Sequence, residues 1–174
     1  DILVGTQMIV KGHDFPNVTL AGILAADLSL HNQDYMAGER TFDLLTQAAG
    51  RAGRGAEPGT VVIQTYEPEH PVIQAAAGQD YAAFYENAIA YRRLLKYPPV
   101  YSMLAVLVTA SREEQAEAAA RKLADLLRNQ PENTGSRAVL RVVGPAAPVI
   151  AKVKDIYRRV IYVKSLEEPC LLLA

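Results

Sequence analysis

An α/β fold is predicted for this 174-residue chain by three observations. Two short apolar, β-branched runs, residues 20–26 and 60–66, flank a stretch of helical spacing over 39–49. A strand, helix, strand order of that kind belongs to a parallel sheet. Farther on, a strand, helix, strand, strand succession reads as a second, small α+β unit. Half of the residues are hydrophobic, enough apolar material for one sizeable core or two small ones.

Residues 2–5 read as a short buried strand. Residues 6–19 are loop-like, punctuated by Gly12, Asp14, Pro16 and Asn17. Residues 20–26 are nearly all apolar, as suits a strand covered on both faces. Residues 28–38 are polar and irregular. Phe42, Leu45, Ala48 and Ala49 then recur at helical spacing. Residues 50–59 form a Gly-rich loop, and residues 60–66 a second strand. Glu67-Pro68-Glu69-His70-Pro71 breaks the pattern. A helical stretch follows over 71–96, interrupted at Gly78, with Tyr81, Phe84, Tyr85, Ile89 and Tyr91 as candidate buried positions. Pro98 and Pro99 end it, since neither donates the helix hydrogen bond. The chain therefore divides into 1–70, a helical linker over 71–99, and 100–174.

The second unit opens with a strand over 103–110. Ser111 is placed to cap the next helix, with Glu114 three residues on to complete a capping box. That helix, about 112–129, carries Ala116, Ala120, Leu123, Leu126 and Leu127 on one face. A loop containing Pro131 and Gly135 leads to a strand over 139–143. Residues 144–148 read as a stiff loop, and 159–164 as a further strand.

Composition excludes several classes. Charged residues make up 21% of the chain and the formal net charge is −1, which excludes a disordered polyelectrolyte. Cys170 is the only cysteine, so there is no intramolecular disulfide and no cysteine-based zinc site. His13, His31 and His70 show no ligand spacing, and no metal site is expected. No apolar run approaches the ~18 residues that span a bilayer. The first residues show no signal peptide and no initiating Met. The sequence reads as a piece of a longer, cytoplasmic chain. Charge is unevenly distributed. Residues 1–136 hold 11 basic and 16 acidic side chains, whereas 137–164 hold seven basic ones against Asp155 alone. Those seven are Arg137, Arg141, Lys152, Lys154, Arg158, Arg159 and Lys164. A block of that density suits a phosphate backbone, and equally a solvated surface.

Two elements carry candidate chemistry. Gly5-Thr6-Gln7-Met8 through Lys11-Gly12-His13-Asp14-Phe15-Pro16-Asn17 follows a strand, where α/β sheets bind ligands. Thr6 offers a hydroxyl to a phosphate. Asp14 offers an acceptor to a ribose hydroxyl or an arginine. The same loop could serve only as a turn. Gln47-Ala48-Ala49-Gly50-Arg51-Ala52-Gly53-Arg54-Gly55 closes a helix and opens a Gly-rich loop. Two arginines among three glycines can approach a polyphosphate closely, each donating two hydrogen bonds at full charge. The alternative is a solvated surface loop. Tyr157 and Tyr162 lie inside the basic block, where an aromatic ring can stack on a base.

Taken together, these elements resemble motifs V and VI of superfamily 2 helicases. The wider pattern resembles the PriA-like primosomal replication-restart helicases. Lys11-Gly12-His13-Asp14-Phe15-Pro16-Asn17-Val18-Thr19-Leu20, Glu39-Arg40-Thr41, Tyr97-Pro98-Pro99, Val143-Gly144-Pro145-Ala146-Ala147-Pro148 and Tyr157-Arg158 carry that resemblance over nearly the whole chain. It implies that 1–70 is part of the second RecA-like helicase lobe and that 100–174 is the family's C-terminal domain, cut short at its end. It implies that Thr6 contacts the DNA backbone and that Gly12 and Asp14 face the nucleotide. Gln47 would couple the nucleotide to the other lobe, and Arg51 and Arg54 would reach the triphosphate as arginine fingers. Lys11 would hold the place of a basic, DNA-side residue. Lys152, Lys154, Arg158 and Arg159 would be the DNA-facing set of the C-terminal domain.

The resemblance further implies a bacterial, cytoplasmic, nucleoid-associated protein. The full-length protein would be an ATP-dependent 3′–5′ DNA helicase that acts at stalled or branched forks and starts primosome assembly. Its cofactors would be ATP and Mg²⁺, with zinc bound outside this stretch. Its partners would be forked or single-stranded DNA, single-stranded-DNA-binding protein and primosome proteins, with no membrane. The sequence has neither a Gly-x-x-x-x-Gly-Lys-Ser/Thr phosphate loop nor an Asp-Glu-x-His motif, so this chain alone is expected to be inactive. The residues before motif VI, His31-Asn32-Gln33-Asp34-Tyr35-Met36, depart from the family pattern. Two other readings stay open: a non-catalytic nucleic-acid or protein-binding module, and another superfamily 2 repair helicase.

Overall fold

The computed structural model describes residues 1–8, 17–32, 34–52, 58–129 and 140–166. They belong to two compact units, Asp1–Ala90 and Tyr91–Ala174. The class is mixed α/β, with a small parallel sheet in the first unit and an antiparallel sheet in the second.

In the first unit, strands β1 (Leu20–Ile23) and β2 (Thr60–Ile63) pair in parallel, Leu20 opposite Thr60 and Ile23 opposite Ile63. Both strands are half-covered on one side and exposed on the other, so β1 is not buried on both faces as predicted. β1 also ends three residues early. Ala25 adopts a left-handed conformation (φ 50°, ψ 50°) and turns the chain into a 3₁₀ turn over Ala26–Ser29. Gln64 holds this corner, its side-chain oxygen accepting from Ala25 N at 2.6 Å and its carbonyl from Ala26 N at 3.0 Å. Asp27, buried beneath it, accepts from Tyr66 N at 3.1 Å. Its carboxyl is held below the usual range chiefly by a hydrogen bond from Thr65.

Residues 2–5 are not a buried strand. They are exposed coil, Ile2 being 93% exposed. A strand requires a neighbour for its ladder. Here β1 and β2 pair only with each other among the described residues.

Helix α1 (Ala37–Ala49) starts two residues before the predicted position. Asp34 draws the start back: its carboxylate accepts from Met36 N at 3.0 Å and pairs with Arg40 at 2.6 Å. Ala37, Thr41, Phe42, Leu45, Ala48 and Ala49 form its buried stripe. Helix α2 (Pro71–Ala77) begins on a proline, which is pre-set for that position. It stops at Gly78, and α3 (Tyr81–Leu95) follows. Phe42, Leu45, Ile73, Ala76 and Phe84 make the core, with Phe42 and Phe84 stacked at 4.2 Å. Tyr81, Tyr85 and Tyr91, expected to be buried, are exposed, and Ile89 is half-buried. Among the described residues of α3, Phe84 and Ala88, one turn apart, pack on the first unit's core, and the exposed Tyr81 ring reaches its edge, 6.1 Å from Phe42. α3 ends before the prolines act. Lys96 takes the left-handed conformation (φ 57°) and Tyr97 N bonds back to Arg92 O at 2.8 Å, a Schellman closure with lysine in the usual glycine place.

In the second unit, strand order is β3–β6–β4: β3 (Ser102–Ala110), β4 (Arg141–Ala146) and β6 (Ile156–Ser165). The short β5 (Lys152–Val153) forms a hairpin with β6. Its two turn residues, Lys154 and Asp155, both have positive φ, as a two-residue hairpin turn demands. Helix α4 (Glu113–Arg128) covers one sheet face, Ala120, Ala124 and Leu127 packing on Ile161 and Val163. Leu126, predicted on that face, points to solvent and Ala124 takes its place. Ser111 does not cap α4. Arg112 occupies that position, with no side-chain cap bond.

Residues 144–146 are not a loop but the end of β4. Val143 faces Tyr162 and Ala146 faces Val160, so β4 carries one extra residue there, a bulge. Gly144 makes the bulge possible. Its φ is +106°, and a Cβ there would lie 2.8 Å from the Val160 carbonyl oxygen.

Candidate functional site

In the first unit, two of the predicted nucleotide-site residues, Gln47 and Arg51, lie at the C-terminal end of α1. The helix does not stop cleanly: Gly50 N bonds to Thr46 O, Arg51 N to Ala48 O at 3.1 Å and Ala52 N to Ala49 O at 3.2 Å. This tightened last turn keeps Gln47 and Arg51, four residues apart, on one side of the helix end. Gln47 is exposed and Arg51 half-buried. An amide and a guanidinium so placed can donate to anionic oxygens, and they do not suit a divalent cation. Thr6 is exposed, its hydroxyl 3.4 Å from Met8 N. Lys11, Gly12, Asp14 and Arg54 lie outside the described residues, as do Arg137 and Cys170.

In the second unit, β6 divides the basic block. Successive strand residues point to opposite faces. Arg159 faces α4, where its Nε meets Glu117 at 2.6 Å and its Nη2 meets Glu113 at 2.8 Å. Its side chain is only 11% exposed, and the first of these bonds holds the guanidinium above its ordinary pKa. Arg158 faces the other way, half-buried, its Nε enclosed without a hydrogen-bond partner. Lys152 pairs with Asp155 at 2.8 Å across the hairpin turn and lies over the Tyr157 ring at 4.9 Å. The Asp155 contact raises its pKa. Lys154, in the turn, is exposed. Lys164 is 7% exposed, donates to Leu95 O at 3.1 Å and sits 3.6 Å from the centre of the Tyr97 ring. Burial, with Arg141 beside it, pushes its pKa down.

Among the described residues no group of three or more His, Cys, Asp or Glu could hold a metal ion. No helix among them is long and apolar enough to cross a membrane.

The Glu113–Glu117–Arg159 clamp yields a pH prediction. Glu117 is held below its ordinary 4.5, first by the Arg159 hydrogen bond and then by Arg121. A carboxylate lowered in the fold stabilises above its unfolded pKa, and that contribution fades as pH falls through the lower folded value. Below about pH 4.5 the second unit's melting temperature should therefore drop with pH. Glu117→Gln should lower Tm at neutral pH and flatten that drop. An unchanged pH profile in a calorimetric series would refute the clamp.

Residues 93–171 match the family described as Primosomal protein N C-terminal domain. The chain is 50% identical over 170 residues to a replication restart protein PriA from Bacillus subtilis (strain 168), covering 97% of this chain and 20% of that protein. The chain belongs to the PriA family. Another PriA, from Synechocystis sp., is 40% identical over 94% of this chain and 19% of its own length. A third, from Treponema pallidum, is 39% identical over 97% of this chain and 25% of its own length. The chain thus spans about a fifth to a quarter of these PriA relatives.

Sequence reasoning missed two parts of this PriA-family chain. The acidic pair that engages Arg159 was visible as Glu113 and Glu117, one helical turn apart on α4. Arg141 lies directly opposite Lys164 in the β4–β6 register, a cross-strand pairing that only the folded sheet reveals.

Proposed function

We propose that this chain is the C-terminal part of an ATP-dependent 3′–5′ DNA helicase that acts at stalled or branched forks and starts primosome assembly in replication restart. Family membership across nearly the whole chain, through both units, carries this reading. On it, the first unit is part of a RecA-like motor lobe. Gln47, Arg51 and Arg54 address the triphosphate together with Gly12 and Asp14, and Thr6 and Lys11 face the DNA backbone. ATP supplies the driving free energy when bound. Gln47, Arg51 and Arg54 are donors to anionic oxygens, and on this reading Mg²⁺ and the family's zinc take their ligands elsewhere in the full-length protein. Single-stranded-DNA-binding protein and primosome proteins are its partners.

The second unit contributes affinity for DNA. Lys152, Lys154 and Arg158 carry that role, whereas Arg159 is engaged by two carboxylates. This unit could also act alone as a binding module, a reading favoured by the cations gathered around one hairpin. Titration of labelled forked DNA with the chain at a series of salt concentrations tests the DNA role. Log affinity should fall linearly with log salt, by about 0.9 per phosphate contacted. Absence of binding at low salt would rule that role out.

A further inference from the structure

The two faces of the second unit's sheet differ in charge. Helix α4 covers one face and brings Glu113, Glu114, Glu117 and Asp125 together with Arg121, Lys122 and Arg128. The opposite face is built from alternate residues of β6, namely Arg158, Val160, Tyr162 and Lys164. In register, Thr109 lies beside Arg158, Leu107 and Ala146 beside Val160, Ala105 and Val143 beside Tyr162, and Met103 and Arg141 beside Lys164. β3, β4 and β6 contain no Asp or Glu, so this face has cations and no carboxylate of its own strands. It is open along its flanking strands, where Leu107 is 51% and Val143 43% exposed, and half-covered at Arg158 and Tyr162, whereas Val160 between them is 7% exposed. Lys164, under Tyr97, closes one end.

Arg158 and the Arg141–Lys164 rung are six residues apart along β6, about 20 Å at roughly 3.3 Å per residue. Tyr162 lies between them, flanked by the small Ala105 on one side. Cations separated this widely around an aromatic ring fit an extended polyanion with stackable bases. A single carboxylate would meet only one of them. Arg158 adds a second sign. Its Nε lacks an acceptor in the fold, so turning the guanidinium outward to a phosphate breaks no hydrogen bond made by that atom.

We propose that single-stranded nucleic acid lies along β6 on this helix-free face, with Tyr162 stacking a base and Arg158 and Arg141 holding phosphates on either side. The proposal rests on the DNA-binding reading of the second unit and adds the surface and the residues.

The test is fluorescence anisotropy of a labelled oligothymidylate titrated with the 174-residue chain and its variants, each checked for Tm. Arg158→Ala and Arg141→Ala should each weaken binding about tenfold at low salt and reduce the salt slope by about one. Tyr162→Leu should weaken it by roughly 5- to 100-fold, and Tyr162→Phe should restore it, because either aromatic ring can stack. Arg158→Ala should lower Tm less than Arg159→Ala does, since the Arg158 Nε has no partner to lose. Arg159→Ala should lower Tm and leave the salt slope unchanged. If the parent binds with a steep salt slope while Arg158→Ala, Arg141→Ala and Tyr162→Leu all match it, the face is wrong and the DNA reading stands. If the parent does not bind, the DNA reading fails and the proposal fails with it. If an acidic peptide binds through Arg158 and Tyr162 while the oligonucleotide does not, the face serves a protein and the proposal is overturned.

Discussion

Replacing Arg51 or Arg54 by Ala in the full-length protein is expected to cut DNA-stimulated ATP turnover by roughly 10³-fold or more, the range an arginine at a transferring phosphoryl group supplies. The argument starts from the end of α1. Its last turn tightens through Arg51 and Ala52, so the Arg51 backbone is fixed by the helix. Gln47 stands one turn earlier on the same side. A guanidinium on a fixed backbone costs little reorganisation when charge develops on a phosphoryl oxygen. Lysine at either position would keep the charge and lose the two-pronged geometry, so Arg51→Lys should recover only part of the rate. Fork affinity should stay close to wild type in all three variants, because none of the residues assigned to DNA is changed in them. Steady-state ATPase and anisotropy on the same preparations separate the two effects. Near-normal turnover in both alanine variants would remove the arginine-finger assignment.

What the sequence could reveal depended on how local the cause was. α1 was legible because Phe42, Leu45, Ala48 and Ala49 repeat at helical spacing and pack as that spacing implies. The break at Gly78 was legible for a similar reason, since α2 stops there and α3 starts three residues on. Residues 2–5 were misread because a short apolar run encodes strand propensity, whereas a strand exists only when a second one pairs with it. Gly144-Pro145 was read as a loop from its composition. The bulge there depends on the register against β6, which no local window contains.

The basic block is the most instructive case. Its charge count was correct, but a count has no faces. Arg158 and Arg159 are neighbours in sequence, and strand alternation sends them to opposite sides of the sheet. One meets Glu113 and Glu117, and the strands that form the other's face carry no carboxylate. Reading the hairpin as period two from Ile156 onward would have separated them in advance.

Phe42→Ala is expected to destabilise the first unit by about 3–5 kcal/mol, the usual cost of truncating a buried phenylalanine. Phe42 is 5% exposed, stacks on Phe84 at 4.2 Å with 14° between the rings, and shares a core with Leu45 and Ile73. Among the described residues the unit's sheet has two strands, each half-covered on one side only, and several of its core positions are alanines. Domains of this size have only ~5–15 kcal/mol of stability in all, so the loss takes a large share of it. Phe42→Leu keeps most of the apolar volume and should cost clearly less, because the cavity term is small while the ring stacking is lost. The second unit has its own core on Ile161 and Val163 and should melt unchanged, so calorimetry should show the first transition moving down while the other stays. The functional consequence follows from the same helix. α1 carries Phe42 on its buried side and ends in Gln47 and Arg51, so loosening the stack frees the backbone that holds them. In the full-length protein, Phe42→Ala should therefore lower ATP turnover at temperatures where the second unit remains folded. A variant that keeps both its melting profile and its turnover would show that the Phe42–Phe84 stack does not hold the motor residues in place.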